Sequence, residues 1–427
     1  MRYLTRLTAV GLAMLLIVVG SFASATKYRW RKGIITLSVS SSISSNTSNI
    51  SAGSDTLAAI DRSMTAWSEV AAVSLRRSSS VEQNVSPSSQ GDGVSLLTIA
   101  GTAENAALFP DGLDDATART RIFYDSRGFI TEADIVLNPY LQYSTDGTVG
   151  TFDLESTITH ELGHLLGLDH SPVVGATMSE SYGKNGVYNL PAFSARTLAA
   201  DDVAAVRSLY GPADANDECC GRVLGKLTSS GNKLTTAYSV WLENVDDGRV
   251  AASTVSGNDG AFRIGGISPG KYHAYAQSDT DMRSSAVDLG SVTVTTKQPV
   301  NLNKKVDRLM GDVRLDFLGL NGQLSGMAVS VNAGNSYYLL AGSSGTSEET
   351  THLESSSDLI SLHQRQSGGM FTKEIRTLGF ETSIAPNAPL GEYSLCANTK
   401  SGFRRCLIGG LTVEKFPNVW SIATFRQ

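Results

Sequence analysis

Histidine and cysteine are both scarce in this chain, which has six histidines and four cysteines among 427 residues. Basic residues are in the minority, since 35 lysines and arginines stand against 41 aspartates and glutamates for a net charge of −6. No stretch is rich enough in lysine and arginine to neutralise a nucleic-acid backbone. Nucleic acid is therefore not an expected partner.

Long apolar runs are absent after the first 25 residues, so the sequence predicts no membrane span in the mature chain. The N-terminus starts with basic residues, continues with an apolar run over residues 7–19, and reaches small residues at 23–25. This order is typical of a secretory signal peptide with an A-x-A cleavage site. We expect residues 1–25 to be removed and the protein to be secreted. A membrane anchor is the alternative, but the run is shorter than the ~20 residues that span a bilayer.

The four cysteines suit an oxidising compartment. Cys396 and Cys406 flank a turn signal at residues 399–402 between two strand-like runs, so we expect a disulfide across a hairpin. Cys219 and Cys220 are adjacent. The sequence leaves three states open for this second pair: a vicinal bridge, two free thiols, or half of an intermolecular link.

Three segments follow from shifts in pattern along the mature chain, and its length allows several domains. Residues 26–212 mix strand-like and helical runs, and residues 213–220 form a predicted linker. Residues 221–306 and 307–427 carry short β-rich runs with regular turns, the pattern of small β-sandwiches. The predicted fold is multidomain, with an α+β domain followed by two all-β sandwich domains.

The first segment carries the helical signals. Residues 56–70 place apolar side chains at helical spacing, and Asp55 before them suits an N-cap. Other predicted elements are helices over residues 154–168 and 200–210 and strands over residues 33–39, 120–124 and 133–137.

Three of the six histidines fall within eleven residues, at His160, His164 and His170. On a helix the first two lie one turn apart on the same face, so both imidazoles can reach one metal ion. Gly167 allows the chain to leave the helix with a positive φ, so that His170 can return to the same ion. Three nitrogen ligands leave a fourth position for water, which is the coordination of a catalytic zinc site.

Glu161, next to the first histidine, is the candidate catalytic residue. Its carboxylate can take a proton from the attacking water and pass that proton to the departing amine. The competing interpretation is an amphipathic helix whose leucines pack in the core and whose histidines are satisfied by hydrogen bonds. The presence of both Gly167 and His170 makes that interpretation much weaker.

The run from His160 to His170 resembles the metzincin signature H-E-x-x-H-x-x-G-x-x-H at every fixed position. Within the metzincins, the chain is similar to the matrixins, the matrix metalloproteinase family. Met178, eight residues past His170, stands where that family has the methionine of a tight turn beneath the metal. Tyr182 stands where the family has a tyrosine in the wall of the S1′ specificity pocket, although Glu180 replaces the usual proline.

The resemblance covers residues 26–212 and implies a twisted, mixed but mostly parallel sheet with three helices. It implies a cleft in which an extended polypeptide lies against an edge strand, for which residues 96–107 are our candidate. One catalytic zinc is expected, because no histidine precedes His160 to bind the structural zinc of the animal enzymes. The family's zinc-binding cysteine of the inhibitory pro-segment has no counterpart either.

Calcium is a further candidate ligand of the first segment. Hard oxygen ligands suit calcium, although acidic loops are more often only solvated. The candidate ligands are Asp111, Asp114, Asp115, Asp125 and Asp134.

The downstream segments show weaker resemblances. Residues 221–306 resemble the carboxypeptidase regulatory-like β-sandwich, chiefly around residues 258–262 and 267–272. Residues 307–427 look like a bacterial immunoglobulin-like module around residues 388–397. Both folds serve many roles, so we expect only that these domains bind a substrate or a surface.

The sequence therefore predicts a secreted zinc endopeptidase that cuts extended polypeptides and acts as a monomer. A binding or adhesive protein on an inactive metzincin fold is the alternative. Retention of Glu161 argues against that alternative, because a purely structural zinc site needs no general base.

Overall fold

The computed structural model describes residues 28–31, 33–44, 47–87, 90–181, 183–229, 237–281, 283–306, 309–311, 313–344 and 352–415, with only the backbone at 366–368. The predicted signal peptide and Tyr182 lie outside the described residues. None of the described helices is long and apolar enough to cross a membrane.

A six-stranded sheet forms the centre of the N-terminal region, with strand order β1-β6-β4-β2-β3. These five strands pair in parallel, and β5 lies antiparallel against β6. The mostly parallel sheet implied by the resemblance is confirmed. The strands are β1 (Arg29–Trp30), β2 (Ile34–Ser40), β3 (Ser74–Ser80), β4 (Ser95–Thr98), β5 (Ala118–Tyr124) and β6 (Phe129–Leu137).

Three helices of eleven residues or more accompany this sheet, together with two helices of a single turn and a short parallel strand pair. The helices are α1 (Ser41–Ser44), α2 (Thr56–Val70), α3 (Ala103–Ala106), α4 (Leu154–Leu165) and α5 (Ala200–Tyr210). The strand pair is β7 (Tyr143–Ser144) and β8 (Phe152–Asp153).

Helix α2 confirms the prediction from its apolar spacing. Its N-cap residue Asp55 accepts a hydrogen bond from the Ala58 amide at 3.1 Å, which satisfies one of the free amides of the first turn. Ile60 and Trp67 are fully buried on one face, and the Trp67 Nε1 donates to the Thr159 carbonyl at 2.8 Å. This bond fixes α2 against α4, the helix that carries the first two histidines.

The predicted substrate edge at residues 96–107 was wrong. Strand β4 lies between β2 and β6, and all four of its residues are buried, while residues 103–106 form α3. A buried apolar run indicates a central strand of a parallel sheet, not an edge. Among the described strands, β5 pairs with β6 alone and is the edge beside α4.

The chain after the N-terminal region is all β, as predicted. Between residues 221 and 305, two four-stranded sheets enclose one apolar core, with orders β11-β10-β13-β14 and β12-β9-β15, β16 pairing with β9. The strands are β9 (Gly221–Thr228), β10 (Tyr238–Asn244), β11 (Val250–Val255), β12 (Ala261–Ile267), β13 (Gly270–Ser278), β14 (Val287–Val294), β15 (Val300–Asn301) and β16 (Lys304–Lys305).

Residues 317–413 form a second pair of sheets around a separate core, with orders β18-β17-β20-β23-β22 and β19-β25-β24-β21. The domain boundaries drawn from the sequence stay predictions. The strands are β17 (Phe317–Leu320), β18 (Gln323–Ser325), β19 (Val329–Val331), β20 (Ser336–Ser344), β21 (His352–Ser355), β22 (Ile360–Met370), β23 (Ile375–Ile384), β24 (Gly391–Asn398) and β25 (Arg404–Val413).

The structure joins both cysteine pairs as disulfides. Cys396 on β24 stands directly opposite Cys406 on β25, which is the hairpin arrangement expected from the turn between them. Cys219 and Cys220 form a vicinal disulfide across a cis peptide bond, one of the three states that the sequence left open.

The three regions pack closely on one another. Helix α5 lies against β12, where a side chain on Gly266 would clash with the Ala204 carbonyl. The loop after His170 pairs with β25 through a 2.8 Å hydrogen bond from the Val174 amide to the Ile408 carbonyl. The β-sheet regions are therefore fixed against the N-terminal region along these surfaces.

Glu392 lies in this junction. It lies on β24 and is 7% exposed. A Cβ atom on Gly175 would lie only 3.0 Å from the Glu392 Cγ, so the two segments pack closely. Burial raises its pKa to about 8, and the negative charges of Asp202, Asp201 and Glu414 add to that shift. A neutral Glu392 is therefore the form that the packed junction favours.

We predict that Glu392→Gln flattens the pH dependence of stability. Glu392 has an ordinary pKa of 4.5 when unfolded and about 8 when folded, so the folded protein holds an extra proton between these values. Wild-type stability should fall as pH rises through that window, and this loss disappears when the group cannot ionise. The melting temperature of the variant minus that of wild type should grow from pH 5 to pH 8.5.

Glu374→Gln is the matched control, because Glu374 is exposed on the same β-sheet region. Its difference from wild type should stay constant across the same pH series. If the melting temperatures of wild type and Glu392→Gln changed in parallel with pH, the prediction would be contradicted. Ionisation of Glu392 would then not reduce the stability of the folded protein.

Candidate metal centre

The structure brings the three histidines together. His160 and His164 project from one face of α4, and His170 returns to them from the loop that follows. One ring nitrogen from each lies within 4.8 Å of the others, and the Nε2 atoms of His164 and His170 are 3.2 Å apart. In the described part of the chain, this is the one group of three or more His, Cys, Asp or Glu side chains placed to share a metal ion.

Backbone carbonyls orient the first two rings. The Nδ1 of His160 lies 2.8 Å from the Thr177 carbonyl, and the Nδ1 of His164 lies 2.8 Å from the Leu168 carbonyl. Because a carbonyl only accepts, each Nδ1 carries the proton and each Nε2 presents its lone pair. Such hydrogen bonds fix the tautomer and ring orientation of metal-binding histidines.

Burial also keeps these imidazoles neutral. It lowers the pKa of His160 and His164 below the ordinary value, and it lowers the pKa of His170 to about 4 with a contribution from His164. Metal binding requires the neutral form, so no proton has to be displaced near neutral pH. The donor set therefore fits a zinc ion.

The turn after α4 explains how His170 reaches the other two. The sequence predicted helix as far as residue 168, but α4 ends at Leu165. Gly167 has a φ of 95°, and the Leu168 amide donates to the Gly163 carbonyl at 3.0 Å, which closes the helix. A side chain on Gly167 would clash with the Tyr28 carbonyl, so glycine is required here for two reasons.

Glu161 is 4% exposed and is contacted from the edge strand. The Thr120 hydroxyl on β5 donates to its Oε2 at 2.5 Å. Burial raises the pKa of Glu161 to about 7, and the hydrogen bond from Thr120 opposes that shift. Sequence reasoning placed Thr120 on a strand but missed its contact with Glu161, because β5 and α4 meet only in the folded chain.

The Met178 side chain packs against α4, and its assignment to the turn beneath the metal stays a prediction. Met178 is 2% exposed, and its side chain occupies the space beside Gly163, where a Cβ would clash with the Met178 sulfur and lie 2.9 Å from Trp67. The turn is held by Asp202, whose carboxylate accepts from the amides of Thr177 at 2.8 Å and Met178 at 3.0 Å. The sequence placed residue 202 in a predicted helix and gave no sign of this role.

The five aspartates considered for calcium do not gather into a group of three within the described residues. Asp115 pairs with Arg119 at 2.6 Å, and Asp125 closes the turn between β5 and β6 and pairs with Arg31. Asp134 is fully buried and accepts from the amides of two neighbouring segments, at Ser86 and Leu96. These contacts are structural.

Three neutral imidazoles placed to share one metal ion, with a carboxylate beside them, are typical of zinc hydrolases. Comparison with known families agrees. Residues 29–211 match the family model Matrixin. This match supports a matrixin-like domain and, in general terms, a zinc metalloendopeptidase.

Two curated relatives named as metalloendoproteinases are similar to parts of this chain. The chain is 48% identical over 60 residues to metalloendoproteinase 1-MMP of Arabidopsis thaliana, which covers 14% of this chain and 15% of the relative. It is 27% identical over 190 residues to metalloendoproteinase 5-MMP of the same plant, covering 42% and 46%. The chain thus spans less than half the length of these relatives.

Among solved structures, the major pilin subunit BcpA of Bacillus cereus is similar over 46% of this chain and 69% of that chain. The sequence identity is 12% and the TM-score is 0.18. A likeness at that TM-score supports no conclusion about fold or function.

We predict that Gly163→Ala destabilises the centre, although alanine normally stabilises a helix interior. The new methyl group would meet Met178 and Trp67, and overpacking of this kind costs about 1–3 kcal/mol. Urea unfolding should report that loss, and zinc should dissociate more readily because the turn below the site is displaced. Gly101→Ala is the control, since its nearest contact would be Pro139 at 3.7 Å. Equal stability of the two variants would contradict the packing argument.

Proposed function

We propose that this chain is a secreted zinc-dependent endopeptidase that hydrolyses peptide bonds of extended polypeptides. The observation that carries the proposal is the buried Glu161 beside three convergent histidines. Two of these, His160 and His164, are oriented by backbone carbonyls at Nδ1. The metzincin signature and the Matrixin match over residues 29–211 support it. Export rests on the predicted signal peptide of residues 1–25.

His160, His164 and His170 would hold the zinc. When bound, zinc would act as a Lewis acid that polarises the scissile carbonyl and makes water a stronger acid. A site with three protein ligands keeps a position open for the reaction, unlike a structural site with four. One zinc per chain is therefore proposed.

Glu161 would move the proton. Its carboxylate takes a proton from the attacking water at Oε1 or Oε2 and delivers the proton to the nitrogen of the leaving amine. The Thr120 hydroxyl holds Oε2 by the 2.5 Å hydrogen bond, which limits the rotation of the carboxylate. The exposed edge of β5 next to it can pair with a substrate in extended conformation.

The regions after residue 220 would place this protease on its substrate or on a surface. The contacts of α5 with β12 and of the 171–178 loop with β25 support a fixed arrangement of these regions about the catalytic one. Protein or peptide substrates are proposed, and the chain would act as a monomer.

We predict that Glu161→Gln greatly slows proteolysis without loss of metal. Glutamine keeps the size of the side chain and can still accept from Thr120, but it cannot take a proton from water. Loss of general acid–base catalysis should lower the rate about 10²–10⁴-fold. Digestion of casein and gelatin measures the rate, and elemental analysis measures the zinc content.

Glu104→Gln is the control, because Glu104 is an exposed carboxylate outside the site. This variant should digest casein at the wild-type rate and hold one zinc. Wild-type protein that holds one zinc but shows no chelator-sensitive digestion of any protein tested would contradict the proposal. It would favour a binding protein on an inactive fold.

A further inference from the structure

A cavity lies between the catalytic region and the C-terminal β region, at the N-terminal end of α4. Its walls come from both: the start of α4, the chain on either side of the Met178 turn, and the segment between β18 and β19. The lining residues include Thr157, Ala176, Gly183 and Met327. Pockets of this kind, between two packed regions, are common ligand sites.

This cavity is adjacent to the candidate metal centre. Thr157 is three residues before His160 and four before Glu161, so all three share one face of α4 within about one turn of 5.4 Å. Ala176 immediately precedes Thr177, whose carbonyl orients His160. A polypeptide held at Glu161 can therefore place a neighbouring side chain in the cavity.

Met327 stands where this cavity opens outward. It lines both the inner cavity and an outer cleft that includes Lys184 and Val187. Its sulfur and terminal methyl lie directly over Gly183, where a side chain would clash with both atoms. Because residue 183 is a glycine, there is room for Met327 of the C-terminal region to pack over it.

A second contact fixes Met327 in this place. Tyr188, 3% exposed with φ of 58°, inserts between strands β17 and β18 of the C-terminal region. Its hydroxyl donates to the Leu318 carbonyl at 2.9 Å, its carbonyl accepts from the Asn321 amide group at 2.7 Å, and its backbone amide donates to Gln323. The wall bearing Met327 is therefore held against the loop of residues 183–190 on both sides.

Three polar side chains of the cavity, those of Asp153, Ser156 and Thr157, are already paired. Asp153 forms a 2.6 Å ion pair with Arg196 and also caps α4. The Ser156 and Thr157 hydroxyls donate to backbone carbonyls, each at 2.9 Å. Because these carboxylate and hydroxyl groups are paired within the protein, and Ala176 and Met327 add apolar surface, the cavity suits an uncharged side chain.

We propose that Met327 is a specificity-determining residue, and that the C-terminal β region forms one wall of a subsite for an uncharged substrate side chain. This inference rests on the proposed peptidase function. Methionine is flexible and polarizable, so it can adapt to several apolar side chains. Its size sets how large a side chain the subsite accepts.

The test uses the full-length chain and a peptide mixture randomised over six positions, with cleavage products identified by mass spectrometry. Met327→Ala should shift the preference at one position towards larger apolar side chains, and Met327→Trp should shift the same position towards small ones. Changes of about one methylene in an apolar subsite alter kcat/KM by about 10–200-fold, so shifts of at least about 10-fold are expected. Two peptides that differ at that position then separate KM from kcat.

Two controls distinguish a subsite from a structural effect. Met370→Ala removes an exposed methionine of the same β region and should leave the preference unchanged. Met327→Leu, of similar volume, should restore the wild-type preference. Unchanged preference in both Met327→Ala and Met327→Trp, with wild type active, would overturn this inference alone. Wild-type protein that cleaves no peptide and no protein would overturn the peptidase function and this inference with it.

Discussion

The carboxylate of Asp202 accepts hydrogen bonds from three backbone amides, those of Thr177, Met178 and Ala199, at 2.8 to 3.0 Å. Two of these amides belong to the turn under the metal centre, and the third opens helix α5. The Thr177 carbonyl in that turn orients His160, so the position of the first candidate metal ligand depends on Asp202. A charge-assisted hydrogen bond is stronger than a neutral one, which suits a turn with no regular structure to hold it.

Helix α5 also connects this turn to the β-sheet regions. Asp202 and Asp201 lie in the first turn of α5, and α5 packs against β11 and β12 of the first β-sheet region. Ser171 beside His170 donates to Asp201 at 2.5 Å, and the loop after it pairs with β25. The candidate metal centre is thus supported by elements that also contact both β regions. A displacement of either β region would therefore shift the turn that orients His160.

Local chemistry made the candidate site predictable from sequence. The spacing of His160 and His164 on a helix, and the need for a glycine before His170, are properties of a few consecutive residues. The N-cap at Asp55 and the Cys396 and Cys406 pairing across a short hairpin are local in the same sense. Helix α4 ended three residues early because the closing turn takes its conformation from Gly167.

Contacts between distant segments could not be predicted in this way. Thr120 reaches Glu161 across 41 residues, and Met327 reaches Gly183 across more than a hundred, and neither has a sequence signature. The substrate-binding edge was wrongly predicted at residues 96–107, because a short apolar run does not show which strands lie beside it. In the structure, β4 is a central strand. The edge role of β5 follows from strand order, which is a property of the whole sheet.

The central claim is that His160, His164 and His170 together hold one zinc ion. X-ray absorption at the zinc K edge, on the purified full-length chain, tests it most directly. We expect one zinc per chain with three imidazole nitrogens at ~2.0–2.1 Å and no sulfur ligand. Zinc bound through sulfur at ~2.3 Å, or spectra unchanged when the three histidines are replaced, would contradict the account.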